Sequence, residues 1–126
     1  MPHRKTVLYI DDNVADRVLL RRALQGQPLI VLCVDSGVEG IEAAQHHHPD
    51  VILLDLQMPG LDGREVITVL REKPQTADIP IVVVTGNDDP RLGPELLEMG
   101  AAAVLVKTGD IRRLTELVLD ACDLSG

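Results

Sequence analysis

The chain has 126 residues, 45% hydrophobic and 25% charged, a make-up that suits one globular unit with a real core and excludes a disordered tail or a disulfide-dense miniprotein. Twelve basic residues stand against twenty acidic ones, and the resulting formal charge of -8 disfavours direct contact with nucleic acid or an anionic membrane surface. Tyr9 is the lone aromatic among Phe, Trp and Tyr, so base stacking has no platform and the core must be aliphatic.

The elements follow in alternation. TVLYI at 6–10 reads as a strand, and residues 14–25 then set Ala15, Leu19, Leu20, Ala23 and Leu24 on one side of a helix with Arg17, Arg21 and Gln25 opposite. LIVLCV at 29–34 precedes a helix opening at Ser36 with Glu39 three residues on. VILLD at 51–55 precedes one opening at Asp62 with Glu65, and both starts have the capping-box spacing. IPIVVVT at 79–85 leads into DDPRLGPELLEMG, where Pro90, Gly93 and Pro94 predict a fourth helix that starts late or is irregular. AVLV at 103–106 is followed by Asp110 and then by Ile111, Leu114, Leu117, Val118 and Ala121 at helical spacing.

The strand runs are apolar at nearly every residue instead of alternating, which predicts strands buried on both faces. Five such runs and five helical segments in strict alternation predict an α/β fold: a (βα)5 doubly wound, five-stranded parallel sheet in one domain spanning residues 1–126. No apolar run approaches the roughly 18 residues of a membrane span. MPHRK enters the first strand without a signal-peptide core, so a cytoplasmic protein with no membrane contact is expected.

In a parallel sheet the carboxyl ends of the strands share one edge, where ligands of open α/β sheets bind. Asp11 and Asp12 follow the first strand, Asp55 closes the third, Thr85 closes the fourth, and Lys107 follows the fifth. Singly, Asp11 and Asp12 read equally well as helix-capping residues, and Asp55 with Lys107 as a structural ion pair. Together they mark a site. Three carboxylates in one place repel one another unless a cation sits among them, and an all-oxygen set without His or Cys selects Mg²⁺, or Mn²⁺, over zinc. Lys107 and Thr85 would hold phosphoryl oxygens, and Asp55, ending the middle strand, suits the role of nucleophile that becomes an aspartyl phosphate.

Taken with their order, YIDDN (9–13), LLDLQMPGLDG (53–63), VVVTG (82–86) and MGAAAVLVK (99–107) make the chain resemble, over essentially its whole length, a bacterial response-regulator receiver domain of the chemotaxis type. The resemblance implies a flavodoxin-like sheet of strand order 2-1-3-4-5. It implies Asp55 as phosphoacceptor, Asp12 as a direct Mg²⁺ ligand, Asp11 as a ligand mainly through water, and the backbone carbonyl of Gln57 as a further ligand. Lys107 would bind the phosphoryl group and the Asp55 carboxylate, while Thr85 would move onto the phosphoryl oxygen and draw its loop along. The implied donor is a histidine kinase or a phosphotransfer protein. The implied output is through the surface of helix four, strand five and helix five, to a partner or domain that the chain does not name; a homodimer is left open.

Two positions depart from that pattern. The aromatic switch three residues before the lysine is Val104, and the proline after the lysine is Thr108. An interaction module that docks without phosphorylation is therefore the alternative function. A phosphatase is disfavoured, because Gln57 stands where a second acid would be and no insertion caps the site. His46, His47 and His48 are adjacent along a helix, point in different directions and cannot chelate; a solvated helix end is their expected place. Cys33 and Cys122 read as small core residues.

Overall fold

The computed structural model describes residues 4–56, 62–107 and 111–122. Strands β1 (Lys5–Ile10), β2 (Leu29–Val34), β3 (Val51–Asp55), β4 (Ile81–Thr85) and β5 (Ala103–Val106) alternate with helices α1 (Val14–Ala23), α2 (Gly37–His47), α3 (Gly63–Glu72), α4 (Leu92–Glu98) and α5 (Ile111–Ala121). All strand pairs are parallel and the order is β2-β1-β3-β4-β5, the (βα)5 flavodoxin-like arrangement. The expected class and order are both present.

Side chains alternate across each strand, so the sheet has two cores. On one face Leu8, Ile10, Ile52, Leu54, Ile81 and Val83 pack under α2, α3 and α4 through Ala44, Val66, Ile67, Leu70, Leu92 and Leu96. On the other, Val7, Tyr9, Val51, Leu53, Val82 and Val84 pack under α1 and α5 through Leu20, Leu24, Leu114 and Val118. β3 and β4 are buried along their whole length, as continuous apolar runs require. β2 and β5 are not: they are the sheet edges, and Ile30 and Val106 remain 43% and 39% exposed. The expectation of burial on both faces thus holds for the central strands and fails at the edges, where a neighbour is missing on one side.

The helix starts follow their sequence signals. Asn13 caps α1 by accepting the Asp16 N–H, Ser36 accepts the Glu39 N–H of α2, and Asp62 accepts the Arg64 N–H of α3. α4 begins only at Leu92, which leaves Pro94 within the first turn, where a missing N–H costs nothing. In α1 the buried stripe differs from the expected one. Leu20 and Leu24 are buried, whereas Ala15 and Leu19 are exposed and Arg17 is half-buried. The Arg17 guanidinium donates from Nη1 to the Asp11 carbonyl at 2.6 Å, so this residue of the expected polar side faces the sheet edge. His46 and His47 lie exposed in the last turn of α2, and His48 caps it in the left-handed region at φ 46°. Cys33 and Cys122 carry thiols within the α1/α5 core. Asp110, expected to start α5, lies outside the described residues.

Candidate functional site

Register places the site. Ile10 pairs with Leu54, Asp55 with Val84, and Thr85 with Val106, so Asp11, Asp55, Thr85 and Lys107 fall within about one residue of the same sheet edge. The period-2 alternation then divides them. Asp11 follows Tyr9, Asp55 follows Leu53 and Lys107 follows Leu105 on the α1/α5 face, while Thr85 follows Ile81 and Val83 on the face covered by α4.

Asp11, Asp12 and Asp55 converge: one carboxylate oxygen from each lies within 4.8 Å of the others. Asp11 is fully buried and Asp55 is 5% exposed, while Asp12 faces solvent. Asp11 is fixed from three sides. Its Oδ1 accepts the Asn13 N–H at 2.9 Å, its Oδ2 accepts the Tyr9 hydroxyl at 2.6 Å, and Lys107 Nζ stands 3.4 Å from the same Oδ2. Lys107 Nζ is also 3.5 Å from Asp55 Oδ2 and 2.8 Å from Asp16 Oδ2. Burial opposes its charge, but the hydrogen bond it donates to Asp16 and the charges of Asp55, Asp11 and Asp16 outweigh that, so the Lys107 ammonium is held above its ordinary range. Burial, then the hydrogen bond and charge of Asp11, push the Tyr9 phenol far above its ordinary value.

Among the described residues the Lys107 ammonium pairs with three carboxylates, Asp11, Asp16 and Asp55, while Asp12 adds a fourth to the cluster, and the remaining negative charge suits a divalent cation. The donors are hard oxygens, and the exposure of Asp12 leaves room for water and a phosphate oxygen, so the residues fit Mg²⁺ or Mn²⁺. Thr85 is fully buried at the same edge, where its Oγ1 accepts the Asn87 N–H at 3.1 Å and its carbonyl accepts the Lys107 N–H at 2.7 Å. Its hydroxyl is tied to the loop that leads into α4. Gln57 and Thr108 lie outside the described residues. Val104 pairs with Val83 and packs, partly buried, on the α2–α4 core, so no aromatic ring stands there.

Sequence reasoning leaves three residues of this site out: Tyr9 lies within an apolar strand run, Arg17 is placed on the polar side of a helix, and Asp16 is given no role. The i, i+2 spacing of Tyr9 and Asp11 on one strand face is the clue that would have joined the first of them to the site.

A doubly wound parallel sheet that gathers three aspartates and a lysine at its carboxyl edge has the make-up of a phosphoacceptor signalling module. The chain belongs to the response regulator receiver domain family, whose pattern matches residues 7–119. It is 33% identical over 117 residues to the sensor protein GacS of Pseudomonas syringae pv. syringae, covering 90% of this chain and 13% of that protein. It is 29% identical over 118 residues to the polar-differentiation response regulator DivK of Brucella ovis, covering 90% of this chain and 93% of that one. The chain therefore spans about an eighth of the length of the first relative and nearly all of the second. Among solved structures it is similar to the Mn²⁺-bound form of the response regulator Rcp1, with a TM-score of 0.80 and 25% identity over 96% of this chain and 95% of that one. Receiver domains take phosphoryl groups from histidine kinases in two-component signalling, and the acidic pocket of this chain is consistent with that chemistry. Among the described residues no helix is long and apolar enough to cross a membrane.

Proposed function

We propose that Asp55 is the phosphoacceptor of this receiver, working with a Mg²⁺ ion held by Asp11, Asp12, Asp55 and the Gln57 carbonyl. The observation that carries this reading is the meeting of the three aspartate carboxylates within 4.8 Å, with Lys107 between Asp11 and Asp55. A carboxylate oxygen of Asp55 attacks phosphorus, one P–O bond forms, and the bond from phosphorus to the donor breaks with its electron pair leaving on the donor. The bound ion supplies neutralisation of the charge on the phosphoryl oxygens. Asp11, pinned by Tyr9 and Asn13, keeps one ligand orientation. The Lys107 ammonium moves with its carbon stem onto a phosphoryl oxygen. Thr85 gives up the Asn87 N–H and turns its hydroxyl to the same group, pulling the loop ahead of α4 and changing the α4–β5–α5 surface.

The donor is a histidine kinase or a phosphotransfer protein in the cytoplasm, and a homodimer remains compatible with this surface. Val104 favours a second reading, docking that does not depend on phosphorylation, because no ring can rotate behind Thr85 to transmit the change. Acetyl phosphate with Mg²⁺, followed by intact mass, tests the phosphoacceptor, and partner binding measured with and without phosphorylation separates the two readings. Wild type should gain the mass of one phosphoryl group and Asp55→Asn should gain none; equal modification of both removes Asp55 from the role.

A further inference from the structure

Among the described residues Lys107 is the single ammonium of the site, and its shortest side-chain contact is to neither Asp55 nor Asp11. Nζ lies 2.8 Å from Asp16 Oδ2, against 3.4 Å to Asp11 and 3.5 Å to Asp55. The first is a charge-assisted hydrogen bond and the other two are longer charge contacts. Asp16 is held for this task. Its N–H is bound to the Asn13 cap, one turn into a helix that starts right after the acidic pair. The lysine main chain is equally fixed, since its N–H donates to the Thr85 carbonyl. A cavity of about 370 Å³ between α1 and α5 is lined in part by Tyr9, Asp16, Leu20, Leu105 and Lys107, so the Asp16–Lys107 pair borders open space.

We infer that Asp16 is a positioning residue of the phosphoryl site: its carboxylate parks the Lys107 ammonium in the unphosphorylated protein and sets the cost of moving it to the phosphoryl group on Asp55. This rests on Asp55 being the phosphoacceptor. Two effects have the same sign. Removing the Asp16 charge frees the ammonium for Asp55, and it removes one negative charge from the path of an anionic donor. Both speed phosphoryl uptake. The side chains of Asp16 and Lys107 are 33% and 27% exposed, so solvent screens the pair and the gain is modest, about threefold to fivefold in rate.

The test compares uptake from acetyl phosphate at saturating Mg²⁺, read by intact mass, in wild type, Asp16→Asn, Asp16→Glu, Lys107→Gln and the Asp16→Asn/Lys107→Gln double variant. Asp16→Asn should be faster by that factor and Asp16→Glu should return towards wild type. In the Lys107→Gln background most of the Asp16→Asn gain should vanish, because the larger part of the effect acts through the ammonium. A merely structural role for Asp16 would leave the same ratio in both backgrounds and would overturn the inference, as would an unchanged rate in Asp16→Asn. Wild type that takes up phosphoryl while the Asp16 ratios fail sinks this inference alone. Wild type that takes up none, from any donor, sinks the Asp55 reading and this one with it.

Discussion

Replacing Tyr9→Phe removes one oxygen and one hydrogen bond from the floor of the site and leaves the ring in the α1/α5 core. The lost bond is short, 2.6 Å, and its acceptor is a carboxylate on a residue with no solvent exposure. A charge-assisted bond of this kind contributes about 1.5–3 kcal/mol, and about 2 kcal/mol is expected here because Asn13 and Lys107 still serve Asp11. For a domain of 126 residues that is a fall in Tm of about 8 °C. The phenol adds a signature in pH. Burial and the Asp11 carboxylate raise the folded pKa far above the ordinary 10.0, so above pH 10 the folded chain keeps a proton that the unfolded chain releases. Wild-type stability contributed by this group is complete below pH 10 and falls above it, by up to about 1.4 kcal/mol per pH unit, while Tyr9→Phe lacks that slope. The gap between the two should close by about pH 11.5. Urea denaturation followed by far-UV circular dichroism, in steps from neutral to pH 11, measures both. A variant as stable as wild type at neutral pH, or a gap that stays constant up to pH 11, would refute the reasoning.

Lys107→Met should cost about 2–3 kcal/mol in the presence of chelator, less than for a fully buried pair because its side chain is 27% exposed, and Mg²⁺ should restore part of the loss by replacing the missing positive charge. An equal loss with and without Mg²⁺, read by chemical denaturation, would remove the lysine from the charge balance of the site. Gly63→Ala places a Cβ 2.9 Å from the Leu56 Cα and 3.0 Å from its carbonyl oxygen, and since backbone cannot yield, a loss of about 1–3 kcal/mol and slower phosphoryl uptake are expected. Thermal denaturation at wild-type values would show that α3 can lift off the β3 end at no cost. Arg71→Ala removes donors to the Gly100 carbonyl at 2.9 and 3.1 Å and to the Ala77 carbonyl at 2.7 Å, which ties α3 to the turn after α4; about 2–4 kcal/mol of destabilisation is expected in the same assay.

The linear sequence determined the class of fold and the chemistry at its edge. Continuous apolar runs favour burial on both faces, so VILLD and IVVVT read as strands of a covered parallel sheet, and polar residues just beyond such runs fall at one rim. Asp11, Asp12, Asp55, Thr85 and Lys107 were legible on that ground alone. Partial burial of β2 and β5 was not, because apolar content does not reveal which strands end up without a neighbour. Only the tertiary structure decided who shares the lysine. Asp16 is 91 residues from Lys107 in the chain and Tyr9 reads as core, yet helix packing and strand register bring both onto the same few polar atoms. Pairing at a distance depends on how α1 is rotated against the sheet, and contacts such as the Arg17 bond to the Asp11 carbonyl that go with this orientation are not encoded in hydrophobic periodicity.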